Sequence, residues 1–268
     1  MSAELFEKQK ELLEQIRSGS NRVSYKFVPL KIDTGKFTVI FGVLQSAIKM
    51  DGIRWPVSNR IMQNIADSMG CMIMTPRMLD LRRKFAEKSI NAIVNINSKI
   101  VALTPIRDYD KAVTKALGNV SNIKGIIDGE GKTWATVRYF ETIENATYKN
   151  ESSWNYGWHS SAAPIKPVTP GVENIWQNIA GAKSAQLHNL DHIDPSQCCY
   201  GLIMKECLIY ANNQCRQIKL SELLTSDDDD YLNLVSHEGK ITIARHPGVE
   251  ELSQCVFPAI IDLDFQLG

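Results

Sequence analysis

The pattern along the chain begins as a helix. Over residues 3–17, Leu5, Phe6, Leu12, Leu13 and Ile16 are separated by charges at helical spacing, and Ser18-Gly19-Ser20-Asn21 ends the run. An amphipathic N-terminal helix is expected there. The period then shortens to two. VSYKFVPLKI (23–32) places Val23, Tyr25 and Phe27 on one side, which predicts a strand, and Pro29 makes it an edge strand or a bent one. Asp33-Thr34-Gly35 reads as a turn, and the β-branched, aromatic KFTVIFGVL (36–44) as the hairpin partner.

Two helices follow. Pro56 and Ser58 open one whose apolar stripe is Ile61, Met62, Ile65, Ala66 and Met69, and Gly70 stops it. Thr75 as N-cap and Pro76 at the first helical position open the other, with Met78, Leu79 and Phe85 as its buried face. Residues 108–118 have a helical pattern, and 124–140 read as a hairpin turning at Asp128-Gly129-Glu130-Gly131. From 141 to 200 the chain is rich in Asn, Ser, Pro and Trp and weak in periodicity. A loop-rich stretch of that length points to function, and its aromatic residues argue against disorder. A strand, an Asn212-Asn213 turn and a second strand are expected over 200–220, and a short strand over 239–246. The acidic run Ser226–Asp230 fits a solvated loop or a helix N-terminus better than a calcium loop, which needs spaced oxygen ligands and a later Glu. Together these elements predict an α+β fold, an antiparallel sheet with helices mainly on one face. The expected organisation is an N-terminal helix or arm (1–20) followed by a single domain (21–268).

Composition narrows the function classes. The 268 residues carry 30 basic and 30 acidic side chains, so nothing asks for nucleic acid or an anionic membrane as a partner. No window approaches the roughly 18 apolar residues of a membrane span, and the N-terminus lacks the apolar core of a secretory signal. A cytoplasmic location is expected, or export by a route that needs no cleaved signal. The six cysteines include no C-x-x-C pair and are expected to be reduced and mostly buried. No Walker A, dinucleotide fingerprint or H-E-x-x-H is present, and no cofactor is expected.

Candidate chemistry concentrates in one region. Three of the five histidines, His159, His188 and His192, lie between Trp154 and Gly201, close to Asp191, Asp194 and Ser196. Three readings compete. His159 would act as a general acid/base oriented by Asp194, with Ser196 as nucleophile or hydrogen-bond donor and Trp158, Tyr156 and Gln197 contacting substrate. Alternatively His188 and His192, four apart, would share a metal with His159 or Asp194, which requires a helix that the pattern does not support. In the third, His159 packs under a loop and Asp194 caps a turn.

The stretches IADSMGCMIMTPRMLD (65–80), YGWH (156–159) and DPSQ (194–197), with Leu232, Leu234, Ser236, Glu238 and Gly239, carry a resemblance. The chain resembles a family of uncharacterised bacterial proteins, phage-encoded members included, marked by Y-G-W-H and by D-Y-S-H or D-Y-S-Q. The likeness spans roughly residues 40–240. It implies that His159, Asp194 and Ser196 occupy motif positions and His188 and His192 do not, which favours acid/base chemistry over a metal. Pro195 stands where the family has Tyr, a departure that would suit a copy keeping the fold without the activity. Two functions are therefore expected. One is a hydrolase-like enzyme, with a cell-wall polymer as the substrate that family context suggests. The other is a non-catalytic structural or assembly protein, such as a virion component, docking or self-associating through its N-terminal helix.

Overall fold

The computed structural model describes residues 3–93, 103–137, 152–157, 166–169, 172–177 and 186–250. Within them the fold is α+β, as the alternating periods predict. The central sheet is antiparallel, in the order β15 (Gln214–Lys219), β14 (Leu202–Ala211), β3 (Thr38–Leu44), β2 (Phe27–Asp33), and β6 (Cys71–Ile73) also pairs with β14. β2 is an edge strand, so the missing N–H of Pro29 costs the ladder nothing. The buried side of β2 is Val28, Leu30 and Ile32, whereas Tyr25 is 42% exposed. Of the expected Val23/Tyr25/Phe27 face, Val23 and Phe27 are partly buried against a different apolar cluster, whereas the fully buried residues of β2 lie on the opposite side. One residue of register moves every side chain to the other face, and the phase is set by pairing with β3.

β3 is buried on both sides. Val39, Phe41 and Val43 enter one apolar cluster, and Ile40 and Leu44 enter the other. α1 (Ala3–Arg17) and α2 (Asn59–Ser68) cover the second cluster; α3 (Pro76–Lys84), α4 (Leu103–Leu117), α5 (Leu220–Leu224) and α6 (Asp229–Val235) lie mainly on the first. α1 is not a free arm. Leu5, Leu12 and Ile16 are sealed, the helix packs on α2, and the Gln9 side-chain oxygen accepts from the Ser58 N–H at 2.6 Å.

The caps are where the sequence puts them. Ser58 accepts from the Ile61 N–H, and Thr75 accepts from the Met78 N–H with Pro76 behind it. Met78 and Leu79 are buried, but Phe85 is 43% exposed because it is the C-cap, beyond the last turn that faces the core. Replacing Leu79 by Ala should lower stability by about 3 kcal/mol. An unchanged urea midpoint would contradict its place in the core. Asn212 and Asn213 both take positive φ, 51° and 60°, the primed hairpin turn expected between β14 and β15. Asp228 caps α6 and accepts from the Asp230 N–H, so the acidic run is a helix N-terminus.

Three other expectations change. Residues 124–137 do not form a hairpin. β8 (Ile127–Asp128) pairs in parallel with β7 (Lys88–Ser89), while β9 (Thr133–Ala135) pairs with β10 (Ser152–Tyr156), so the segments on either side of Gly129–Gly131 pair with other strands and not with each other. The 141–200 stretch holds strands, among them β10 and β13 (Gln186–Asn189), joined antiparallel. Residues 239–246 form no strand; Ile241 is buried and its N–H bonds singly to the Leu224 carbonyl. Five cysteines are free, of which only Cys215 is exposed, and Cys255 lies outside the described residues. No helix among the described residues is long and apolar enough to cross a membrane.

Candidate functional site

The polar centre of the molecule is the segment Asp128-Gly-Glu-Gly-Lys132. Its three charged side chains are all buried. Each meets an opposite charge from a distant part of the chain. Asp128 faces Arg82 at 3.3 Å and Arg83 at 3.6 Å. Glu130 accepts from Arg54 at 2.6 Å and from the Ala47 N–H at 2.7 Å, and Arg54 also reaches Asp110 at 2.7 Å. Lys132 meets Asp194 at 2.5 Å. Buried charges survive only when paired in this way.

Gly131 and Gly157 let other parts of the chain approach closely. A Cβ on Gly131 would stand 2.2 Å from the Ser196 carbonyl oxygen, and one on Gly157 would meet the Tyr200 hydroxyl. Tyr200 donates to the Gly131 carbonyl at 2.9 Å and stands 3.5 Å from that of Gly157. Gly157 and Ser196 therefore both lie against Gly131. Gly131→Ala should cost about 1–3 kcal/mol, because a backbone oxygen is the obstacle and cannot swing away. A melting temperature equal to the parent's would show that the approach is looser.

Asp194, Ser196 and Gln197 are brought together and are all buried. One Asp194 oxygen takes the Lys132 ammonium. The other accepts the Ser196 N–H at 2.7 Å and the Ser196 hydroxyl. The Gln197 side-chain oxygen accepts from the Asp194 N–H at 2.8 Å. Burial alone would raise the Asp194 pKa, but Lys132 and Ser196 hold it below the ordinary carboxylate range. Asp194 caps a turn here, and its oxygens are engaged by Lys132 and Ser196.

His159 and Trp158 lie outside the described residues, as does the side chain of His188. His188 sits in β13 opposite Ser153, and His192 follows in a turn. Their four-residue spacing thus has no helical meaning, and a shared metal loses its geometric basis. Among the described residues no group of three His, Cys, Asp or Glu could hold a metal. His192 is half-buried, and burial pushes its pKa down.

Tyr156 points elsewhere. Its hydroxyl donates to Asp80 Oδ1 at 2.8 Å. His237 lies close enough to feel both Asp80 and Arg77, and Arg77 donates to the Asn233 carbonyl at 2.8 Å. Thr75, five residues before Asp80, donates to the Val235 carbonyl. The TPRMLD end of the first motif stretch, the Tyr of YGWH and the segment around Ser236 and Glu238 thus converge on one cluster: Arg77, Asp80, Tyr156 and His237. Burial lowers the His237 pKa and holds the Tyr156 phenol protonated, with Asp80 adding to the latter effect. Asp80 and His237 carry no sequence signal of their own; their positions inside or beside the motif stretches were the only pointer. The chain matches no known family model, no curated protein and no solved structure.

Proposed function

We propose that the protein is a hydrolase-like enzyme working by acid–base chemistry, with Asp80 and His237 as its proton-transfer groups and Tyr156 positioning Asp80. The observation that carries this reading is the Tyr156–Asp80 hydrogen bond, since it joins two motif segments that are distant in the chain, with His237 within electrostatic reach of Asp80. A lowered pKa leaves His237 neutral near pH 7 and able to take a proton. A phenol that stays protonated keeps its hydrogen bond to Asp80 and so fixes the orientation of that carboxylate, and Arg77 adds positive charge nearby. His159 belongs to the same motif as Tyr156 and is the further acid/base candidate. Lys132, Asp194 and Ser196 hold the turn that lies against Gly131. The assembly-protein reading draws no support from α1, whose sealed residues face the body of the chain.

The test is release of soluble fragments from purified cell-wall polymer by the full chain, across pH 5–9. The parent should release fragments, and His237→Ala should lower the rate by about a hundredfold with little change in melting temperature. Tyr156→Phe should reduce the rate while preserving the acid limb of the pH profile. Parental rates in both variants would place the chemistry elsewhere. No release by the parent would leave the assembly reading ahead.

A further inference from the structure

Along one side of β14 the neighbour changes. β6 pairs with Leu202–Met204 and β15 begins opposite Glu206, so the neighbour changes at Lys205, whose N–H bonds to the Gly70 carbonyl at 3.3 Å. A cleft of about 450 Å³ opens there, between the C-terminal half of α2 and the start of α5. Its volume falls within the usual range for small-molecule sites. Cys71, Met72 and Ala244 give it an apolar wall.

The charges at the cleft are unequal. Three cations, Lys205, Lys219 and Arg245, face two carboxylates, Asp67 and Glu206. Arg245 is fully engaged, with Asp67 at 2.9 Å and the Glu250 carbonyl at 2.8 Å. Glu206 accepts from Gln217. Lys205 and Lys219 are exposed and make no side-chain hydrogen bond or ion pair among the described residues. Two ammonium groups beside an apolar wall, with one net positive charge, suit an anionic head on a short apolar body. A single negative charge matches the balance better than a doubly charged phosphate, which would face Asp67 and Glu206 with excess negative charge. We propose that this cleft binds a small organic monoanion, a carboxylate carried on a short aliphatic or aromatic body. The site is separate from the Asp80–Tyr156–His237 cluster and does not depend on that assignment.

Calorimetric titration of the full chain with sodium hexanoate tests it, with 1-hexanol, hexylammonium and hexyl phosphate as comparison probes. Saturable binding of hexanoate is expected, with hexanol and hexylammonium much weaker. The double variant Lys205→Gln, Lys219→Gln should bind hexanoate about tenfold less tightly, the equivalent of one charge-assisted hydrogen bond. Ala244→Leu should block the cleft and abolish binding while the melting temperature reports an intact fold. Absence of saturable hexanoate binding would overturn the proposal. So would equal binding of hexanol, tighter binding of hexyl phosphate, or parental affinity in the double variant.

Discussion

A chain that begins at Val23 should not fold cooperatively. Leu5 and Leu12 are completely sealed and Ile16 is 2% exposed. Burying three such side chains contributes about 5–9 kcal/mol, comparable with the whole stability of a typical domain. Removal of α1 also uncovers the apolar face of α2, and it takes away the Gln9 oxygen that satisfies the Ser58 N–H. Near-ultraviolet circular dichroism and a melting curve would read the result. The expected product is weak in fixed aromatic signal and melts without a sharp transition. Cooperative melting at the parental temperature would show instead that the helix is an appendage.

Asp194→Ala should destabilise the protein by about 3–5 kcal/mol, the usual cost of leaving one buried charge without its partner. Lys132 and Asp194 are 6% and 11% exposed at their side chains, so water cannot replace the lost contact. Asp194→Asn offers the control, since it retains an acceptor for Ser196 and removes only the charge. The same pair gives the fold a dependence on pH. Asp194 has a folded pKa depressed below its unfolded value, so its contribution is present above the unfolded pKa and is lost as pH falls through the folded one. Urea midpoints of the parent should therefore fall on the acid side of pH 4, and those of Asp194→Asn should fall less. Identical acid profiles would assign acid sensitivity to other carboxylates.

What could be read from the sequence was local. Ser58, Thr75-Pro76 and Asn212-Asn213 each satisfy or shape backbone within a few residues, so their chemistry fixes the element around them. The Asp128–Lys132 segment was misread for the opposite reason. Charges alternating with glycines look like a solvated turn, and only Arg82, Arg54 and Asp194, all remote in sequence, allow them to be buried. The phase of β2 and the docking of α1 likewise depend on surfaces that other segments supply. Of the candidate site, Asp194, Ser196 and Gln197 were recognised as a group, and the turn-capping reading of Asp194 fits what its oxygens contact. That Tyr156 would reach Asp80 is not legible in the sequence, because 76 positions separate them and a helix's local pattern does not say which distant segment meets its polar side.

The position of β14 has a bearing on how the chain reaches this state. Val39 pairs with Ile209, Val43 with Ile203, and Ile73 with Leu202. During synthesis from the N-terminus, the β2–β3 hairpin and β6 leave the ribosome long before the strand that unites them. Until it arrives, one edge of β3 has open backbone groups and apolar side chains on both faces, which other chains can pair with. Closure over such sequence separations is slow. Nascent chains stalled before residue 200 should therefore be the species that chaperones bind and that aggregates recruit.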